Sequence, residues 1–192
     1  MAETNLGKWN DWYASVSKQA GVRLYGDPTT YLIAAGFFVD TDEVEDWGCG
    51  LGGFRQFCLT QYRGIDGSMT PFADEIVDLC KYRSESPSIL LRHVLEHNYE
   101  WRTILRSAVA SFRHKLCVVL FTPFSATTTE INKTQMAGGN VPDISFQRED
   151  IEHEFDGLYW RLLPNIQTRS QYGYEQVYFV WRDRTIVGCD VG

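Results

Sequence analysis

Residues 46–53 read Asp46-Trp47-Gly48-Cys49-Gly50-Leu51-Gly52-Gly53, with four glycines in the last six positions. Glycine tolerates backbone angles closed to other residues and lets a ligand approach the main chain. The run lies between an expected strand, Val44–Trp47, and an expected helix, Phe54–Tyr62, so it is a strand-to-helix turn. Gly48, Gly50 and Gly53 match G-x-G-x-x-G, a pattern that cradles pyrophosphate where it opens a helix. A glycine turn used only for tight packing has the same letters, so the residues around it must decide.

The rest of the chain alternates in a way that suits such a turn. Trp9, Trp12, Tyr13 and Val16 recur at helical spacing within Lys8–Ala20. A second helix is expected over Thr29–Phe38, with Asp27 capping it and Pro28 in its first turn. Strands are expected at Arg63–Asp66, Glu75–Leu79 and Ser88–Arg92. An amphipathic helix then places Trp101, Ile104, Leu105, Ala108, Val109 and Phe112 on one face. Leu116–Thr122 is a continuous apolar run, typical of a parallel strand covered on both faces. The stretch 123–143 is polar and aperiodic and reads as a loop. A short helix, Glu149–Phe155, and strands at Tyr159–Leu163 and Val177–Trp181 close the chain. Strands alternating with helices predict a mostly parallel α/β sheet, with its ligand at the carboxyl ends of the strands. With 192 residues there is length for one domain.

Asp46 places a carboxylate at the mouth of the glycine loop. A pyrophosphate on the helix N-terminus would meet that charge, and the helix dipole satisfies only one anion. A ligand carrying an ammonium group fits better. S-adenosylmethionine has an amino group, a sulfonium and an adenosine, and no phosphate. Asp66, eighteen residues after Gly48 and at the end of the second strand, is placed to accept hydrogen bonds from both ribose hydroxyls. An aspartate that only shapes the turn before Gly67 is the plainer alternative.

On these residues the chain resembles the class I S-adenosylmethionine-dependent methyltransferases. The matching segments are Glu45–Gly52 and Gly64-Ile65-Asp66-Gly67-Ser68, followed by Val94-Leu95-Glu96-His97. The last is similar to a motif after strand four in small-molecule enzymes of the ubiquinone-biosynthesis type. The resemblance implies a Rossmann-like, seven-stranded, mostly parallel sheet with an antiparallel last strand and helices on both faces. Residues 1–38 would form a helical cap and 39–192 the core. It implies that Gly48, Gly50 and Gly52 admit the methionine part, that Asp46 orients the amino group and that Asp66 holds the ribose. Asp78 would lie near the adenine amino group, and His93 would line the cofactor site. Glu45 departs from the apolar first strand usual in the family and demands an unusual partner.

His93 and His97 are the candidate catalytic residues. Methyl transfer is an in-line displacement that needs alignment, and an alcohol or phenol acceptor must also lose a proton. A histidine suits that proton transfer near neutral pH. Tyr99, Phe124 and the 123–143 loop are candidate walls or a lid for a small acceptor. The same residues, Arg92-His93-Val94-Leu95-Glu96-His97, also match H-x-x-E-H, a zinc-peptidase pattern that needs both histidines on one helix and a third ligand. The glycine loop has no part in such a site, and no metal is expected. A methyltransferase-like domain that binds without turnover is the other alternative.

Composition closes further routes. A net charge of −7 argues against a nucleic-acid partner, whose phosphates call for a basic surface. Five cysteines without a C-x-x-C pair argue against a disulfide scaffold and for a reducing compartment. No apolar run reaches a membrane span, and the first residues lack a secretory pattern, so the expected location is cytoplasmic.

Overall fold

The computed structural model describes residues 6–20 and 23–183; Cys189 and residues 1–5 lie outside them. Nine strands form two sheets among the described residues. The larger contains β1 (Glu43–Trp47), β2 (Gln61–Asp66), β3 (Glu75–Ile76), β4 (Ser88–Arg92), β5 (Lys115–Leu120), β8 (Tyr159–Gln167) and β9 (Tyr174–Trp181). Its order is β3-β2-β1-β4-β5-β9-β8. Strands β1 to β5 run parallel, and β9 enters antiparallel between β5 and β8. The strand order reverses between β1 and β4, where an open α/β sheet leaves a crevice at its carboxyl edge.

Alternation along the strands divides the core in two. Trp47, Ile65, Ile89, Leu91 and Val118 meet helix α3 (Trp101–Ser111) on one face. Val44, Leu90, Cys117, Val119 and Val177 meet helix α2 (Thr29–Phe37) on the other. Asp27 accepts the Thr29 N–H at 2.9 Å at the start of α2. Helix α1 (Asn10–Ala20) crosses the carboxyl edge of the sheet, tied down where Ser68 Oγ accepts the Trp9 N–H at 3.0 Å. A short helix, α4 (Arg148–Glu152), precedes β8.

Four expectations need correction. The helix expected at Phe54–Tyr62 is one 3-10 turn, Phe54–Gln56. Phe54 is buried, and the chain must then extend so that Tyr62 can pair beside Val44. The 123–143 stretch is not a loop but largely an antiparallel hairpin, β6 (Thr129–Met136) with β7 (Gly139–Ser145). Strand β6 is exposed along almost its whole length, so it has no apolar alternation to reveal it. The third strand is only Glu75–Ile76, because Asp78 closes a turn behind it. Strand β8 runs past Pro164 to Gln167 through an irregularity at which Asn165 takes φ 55°. A proline in a run reads as a stop, but an edge strand tolerates it.

Glu45 has its partner. The register sets it opposite Arg63, whose Nη1 lies 2.8 Å from Glu45 Oε1, and Trp47 Nε1 donates to Oε2 at 2.9 Å.

Candidate functional site

The turn after β1 is held by the end of β2. Gly48 and Cys49 N–H groups donate to the Ile65 carbonyl, and Gly50 N–H donates to Asp66 Oδ2 at 2.9 Å. Gly48, Gly50 and Gly52 all take positive φ, at 79°, 54° and 70°. At Gly48 a side chain would also strike Val94. At Gly50 it would stand 3.4 Å from the Tyr13 hydroxyl and narrow a cavity.

That cavity opens at the carboxyl edge, over the β1–β4 crevice. Of the residues singled out in the sequence, Asp46, Gly48, Gly50, Asp66, His93 and His97 line it. Trp9, Trp12, Tyr13 and Tyr25, from α1 and the residues flanking it, form its roof in a chain of ring contacts 5.4–6.2 Å apart. The others lie beside it. Gly52 backs onto Phe72. Asp78 accepts the Cys80 N–H at 3.0 Å within its own turn, and its neighbour Leu79 reaches the cavity wall. Tyr99 is exposed and donates to Glu130 on the hairpin. Phe124 packs against Tyr178 in the α3-side core.

Two of the lining side chains are buried carboxylates without an ion-pair partner within 4 Å among the described residues. Asp46 is 4% exposed and accepts from the Tyr62 hydroxyl at 3.1 Å. Burial, reinforced by Asp66, pushes its carboxyl up to about 7. Asp66 accepts the Gly50 and Ser68 N–H groups, yet burial still pushes it up to about 6. Such a pair resists a second anion and suits a cation.

The two histidines have opposite surroundings. His93 follows β4 with φ 58°, a left-handed conformation rare outside glycine. Its Nε2 lies 3.3 Å from Glu175 Oε1 and its Nδ1 3.4 Å from Arg92 Nη1. Burial and then the Arg92 charge push His93 down to about 4. Arg92 itself binds Thr30, the Tyr31 hydroxyl, the Tyr25 carbonyl and Glu175, so His93 belongs to a packed ionic cluster. His97 ends a 3-10 turn, Leu95–His97, with its ring against Trp9 and Phe121. Its Nδ1 lies 3.0 Å from the Pro142 carbonyl and 3.4 Å from Asp143 Oδ1. The zinc-peptidase pattern therefore does not form: the histidines share no helix, and no group of three or more candidate ligands gathers among the described residues.

Arg92, Glu175 and Asp143 were not singled out in the sequence. Arg92 had a signal, a charge closing the apolar run Ser88-Ile89-Leu90-Leu91. Asp143 had one too, a lone acid between Val141-Pro142 and Ile144. Glu175 had none, because its partners are remote in the chain.

No protein-family model and no curated protein sequence matches the chain. Solved structures do. The N-terminal domain of EvdMO1 with SAH bound is 14% identical, with 82% of each chain covered and a TM-score of 0.55. Magnesium protoporphyrin IX methyltransferase (ChlM) from Synechocystis PCC 6803 with bound SAH is 14% identical over 81% of this chain and 83% of that one, with a TM-score of 0.58. A SAM-dependent methyltransferase from Archaeoglobus fulgidus is 13% identical over 80% and 91%, with a TM-score of 0.56. The chain has the Rossmann-like fold of these S-adenosylmethionine-dependent methyltransferases, with a seven-stranded sheet and an antiparallel last strand.

Proposed function

We propose that the chain transfers a methyl group from S-adenosylmethionine to an oxygen atom of a small acceptor. The observation that carries this reading is the pair of buried carboxylates, Asp46 and Asp66, with no ion-pair partner within 4 Å among the described residues, beside a glycine turn of positive φ. They fit a ligand with an ammonium group and a ribose diol, and they repel one with phosphates. Bound there, the cofactor supplies an electrophilic methyl group on a sulfonium.

The chain's own residues do the rest. Asp46 holds the ammonium, and Asp66 exchanges its loop N–H contacts for ribose hydroxyls. The aromatic roof excludes water and offers ring faces to a sulfonium charge. His97, not His93, takes the acceptor proton. Both groups near His97 Nδ1 are acceptors, so the neutral ring carries its proton there and keeps a lone pair on Nε2. His93, pushed down to about 4 by burial and the Arg92 charge, holds a proton poorly, and its Nδ1 already faces Arg92. Ring-lined walls favour a small acceptor over a macromolecule. The free thiols of Cys49, Cys58 and Cys117 support a reducing, cytoplasmic setting, and no described helix is long and apolar enough to cross a membrane.

Calorimetry with S-adenosylhomocysteine tests the cofactor site. Asp66→Ala is expected to weaken binding about 100-fold, the loss of two charge-assisted hydrogen bonds at about 1.5 kcal/mol each. Unchanged affinity would remove Asp66 from the site. Radiolabelled methyl transfer to a panel of phenols, catechols and sugars tests the reaction. Tight binding with no transfer across the panel would make the domain a binding module.

A further inference from the structure

We propose that Asp143 is a positioning residue for His97: from the β6–β7 hairpin it orients the ring and stabilises its protonated form during the reaction. The inference rests on the methyl-transfer reading above and adds a residue to it. Asp143 is 6% exposed. Its two oxygens are divided between different tasks. Oδ2 collects donors from Asn132 Nδ2 at 3.0 Å, Gln171 Nε2 at 3.3 Å and the Tyr172 hydroxyl at 3.3 Å. Oδ1 is left to His97 Nδ1 at 3.4 Å. Three donors on one oxygen fix the carboxylate plane, so the other oxygen holds its place beside the ring. Asn132 comes from β6, and Gln171 and Tyr172 come from the segment joining β8 to β9. Two chain segments thus converge on one carboxylate behind one histidine.

Asp143 is also charged where it is needed. Burial pushes its carboxyl up, but hydrogen bonds from His97 and Asn132, the His97 charge and the Tyr172 hydroxyl together hold it below the ordinary aspartate value. The other titratable groups near His97 are Glu96 on its own turn, His93, and Lys8, whose Nζ donates to the His97 carbonyl at 3.3 Å. Trp9 and Phe121 flank the ring and carry no charge. Asp143 is the only acid among these that touches the imidazole itself. In the reaction the acceptor hydroxyl gives its proton to His97 Nε2. Its oxygen pair forms the new O–CH3 bond, and the pair of the broken S–CH3 bond stays on sulfur. The imidazolium so formed faces the Asp143 carboxylate and later returns its proton to water. The hairpin therefore acts from behind the base.

Carboxyl-13C NMR on the full chain reads the coupling without any acceptor. The Asp143 titration midpoint is expected to rise by about one pH unit in His97→Gln, the usual effect of losing one close opposite charge. Coupling between two sites is reciprocal, so the same shift measures how strongly Asp143 favours protonated His97. An unchanged midpoint overturns the proposal. In Asp143→Asn, transfer to whichever phenol, catechol or sugar of the panel is turned over is expected to fall about tenfold, with KM for S-adenosylmethionine unchanged. An unchanged rate, or an equal loss of S-adenosylhomocysteine affinity that marks a merely structural latch, also overturns it. Failure of the wild type to bind S-adenosylhomocysteine defeats the methyl-transfer reading instead, and the NMR coupling stays legible on its own.

Discussion

Glu45 and Asp46 are neighbours on one central strand, both buried, and the two faces of the sheet treat them in opposite ways. On the α3 face Glu45 meets the Arg63 guanidinium at 2.8 Å and the Trp47 indole N–H at 2.9 Å. On the α2 face Asp46 has one hydroxyl for a partner, with a second carboxylate, Asp66, and the Arg92 guanidinium beyond ion-pair distance in its field. Glu175, also on the α2 face, has Arg92 at 3.3 Å. An acid buried with its own cation is complete within the fold. One buried without a cation makes the empty protein less stable, and it persists where a ligand supplies the missing charge. Among Glu45, Asp46, Asp66 and Glu175, that contrast separates the paired acids from the site acids more sharply than burial does.

The largest effect should come from turning a paired acid into an unpaired one. Arg92→Ala strands Glu175 in the core and is expected to cost about 3–5 kcal/mol in urea denaturation. A loss below about 1 kcal/mol would break the comparison. Next comes the pH dependence of Asp46. Its folded value of about 7 lies above that of an unfolded aspartate, so the native state holds this proton more tightly. Its contribution is full below about pH 4 and is lost as pH rises through about 7. His93, pushed down to about 4, acts in the opposite sense, so the measurement is a difference between proteins. Relative to wild type, Asp46→Asn should gain on the order of 3 kcal/mol between pH 4 and pH 8. Saturating S-adenosylhomocysteine should abolish much of that gain. A pH-independent difference would mean that Asp46 is ionised across this range in the folded chain.

A smaller effect is expected from Arg63→Met. Arg63 is 41% exposed, so water and the Trp47 N–H compensate Glu45 in part, and about 1–2 kcal/mol should be lost on thermal unfolding. The smallest belongs to Tyr82→Phe. Its hydroxyl reaches Glu45 Oε1 only at 3.4 Å, beside a pair already satisfied, and about 0.5 kcal/mol or less is expected. A larger loss there would show that Arg63 does not neutralise Glu45.

Much of the frame was legible because it rests on local patterns. Leu116–Thr122 and Ser88–Arg92 read as strands buried on both faces, and strands stand at Lys115–Leu120 and Ser88–Arg92 with every residue buried. The α3 stripe follows helical spacing, with Trp101, Ile104, Leu105 and Ala108 buried. The glycine turn announced itself through residues that no regular element favours. Where the reading failed, the deciding contacts were remote. Phe54–Tyr62 has helical letters, but pairing of Tyr62 beside Val44 pulls its second half into an extended path. The hairpin strand β6 is polar on both sides because it packs little against the core, and so it leaves no periodic mark.

At the site, the sequence by itself determined that an acid stands at the mouth of a glycine turn and another at the end of the next strand. Strand ends and turns are set within a few residues, so these positions could be read from spacing. Only the tertiary structure decided that Glu45 and Asp46 part company across the sheet, that His93 is absorbed by Arg92 and Glu175, and that His97 faces Asp143. Glu175 and Arg92 lie 83 residues apart in the chain, and Asp143 and His97 lie 46 apart. Charge pairing acts through distance in space, and no spacing along the chain encodes which acid a folded sheet will bring to which base.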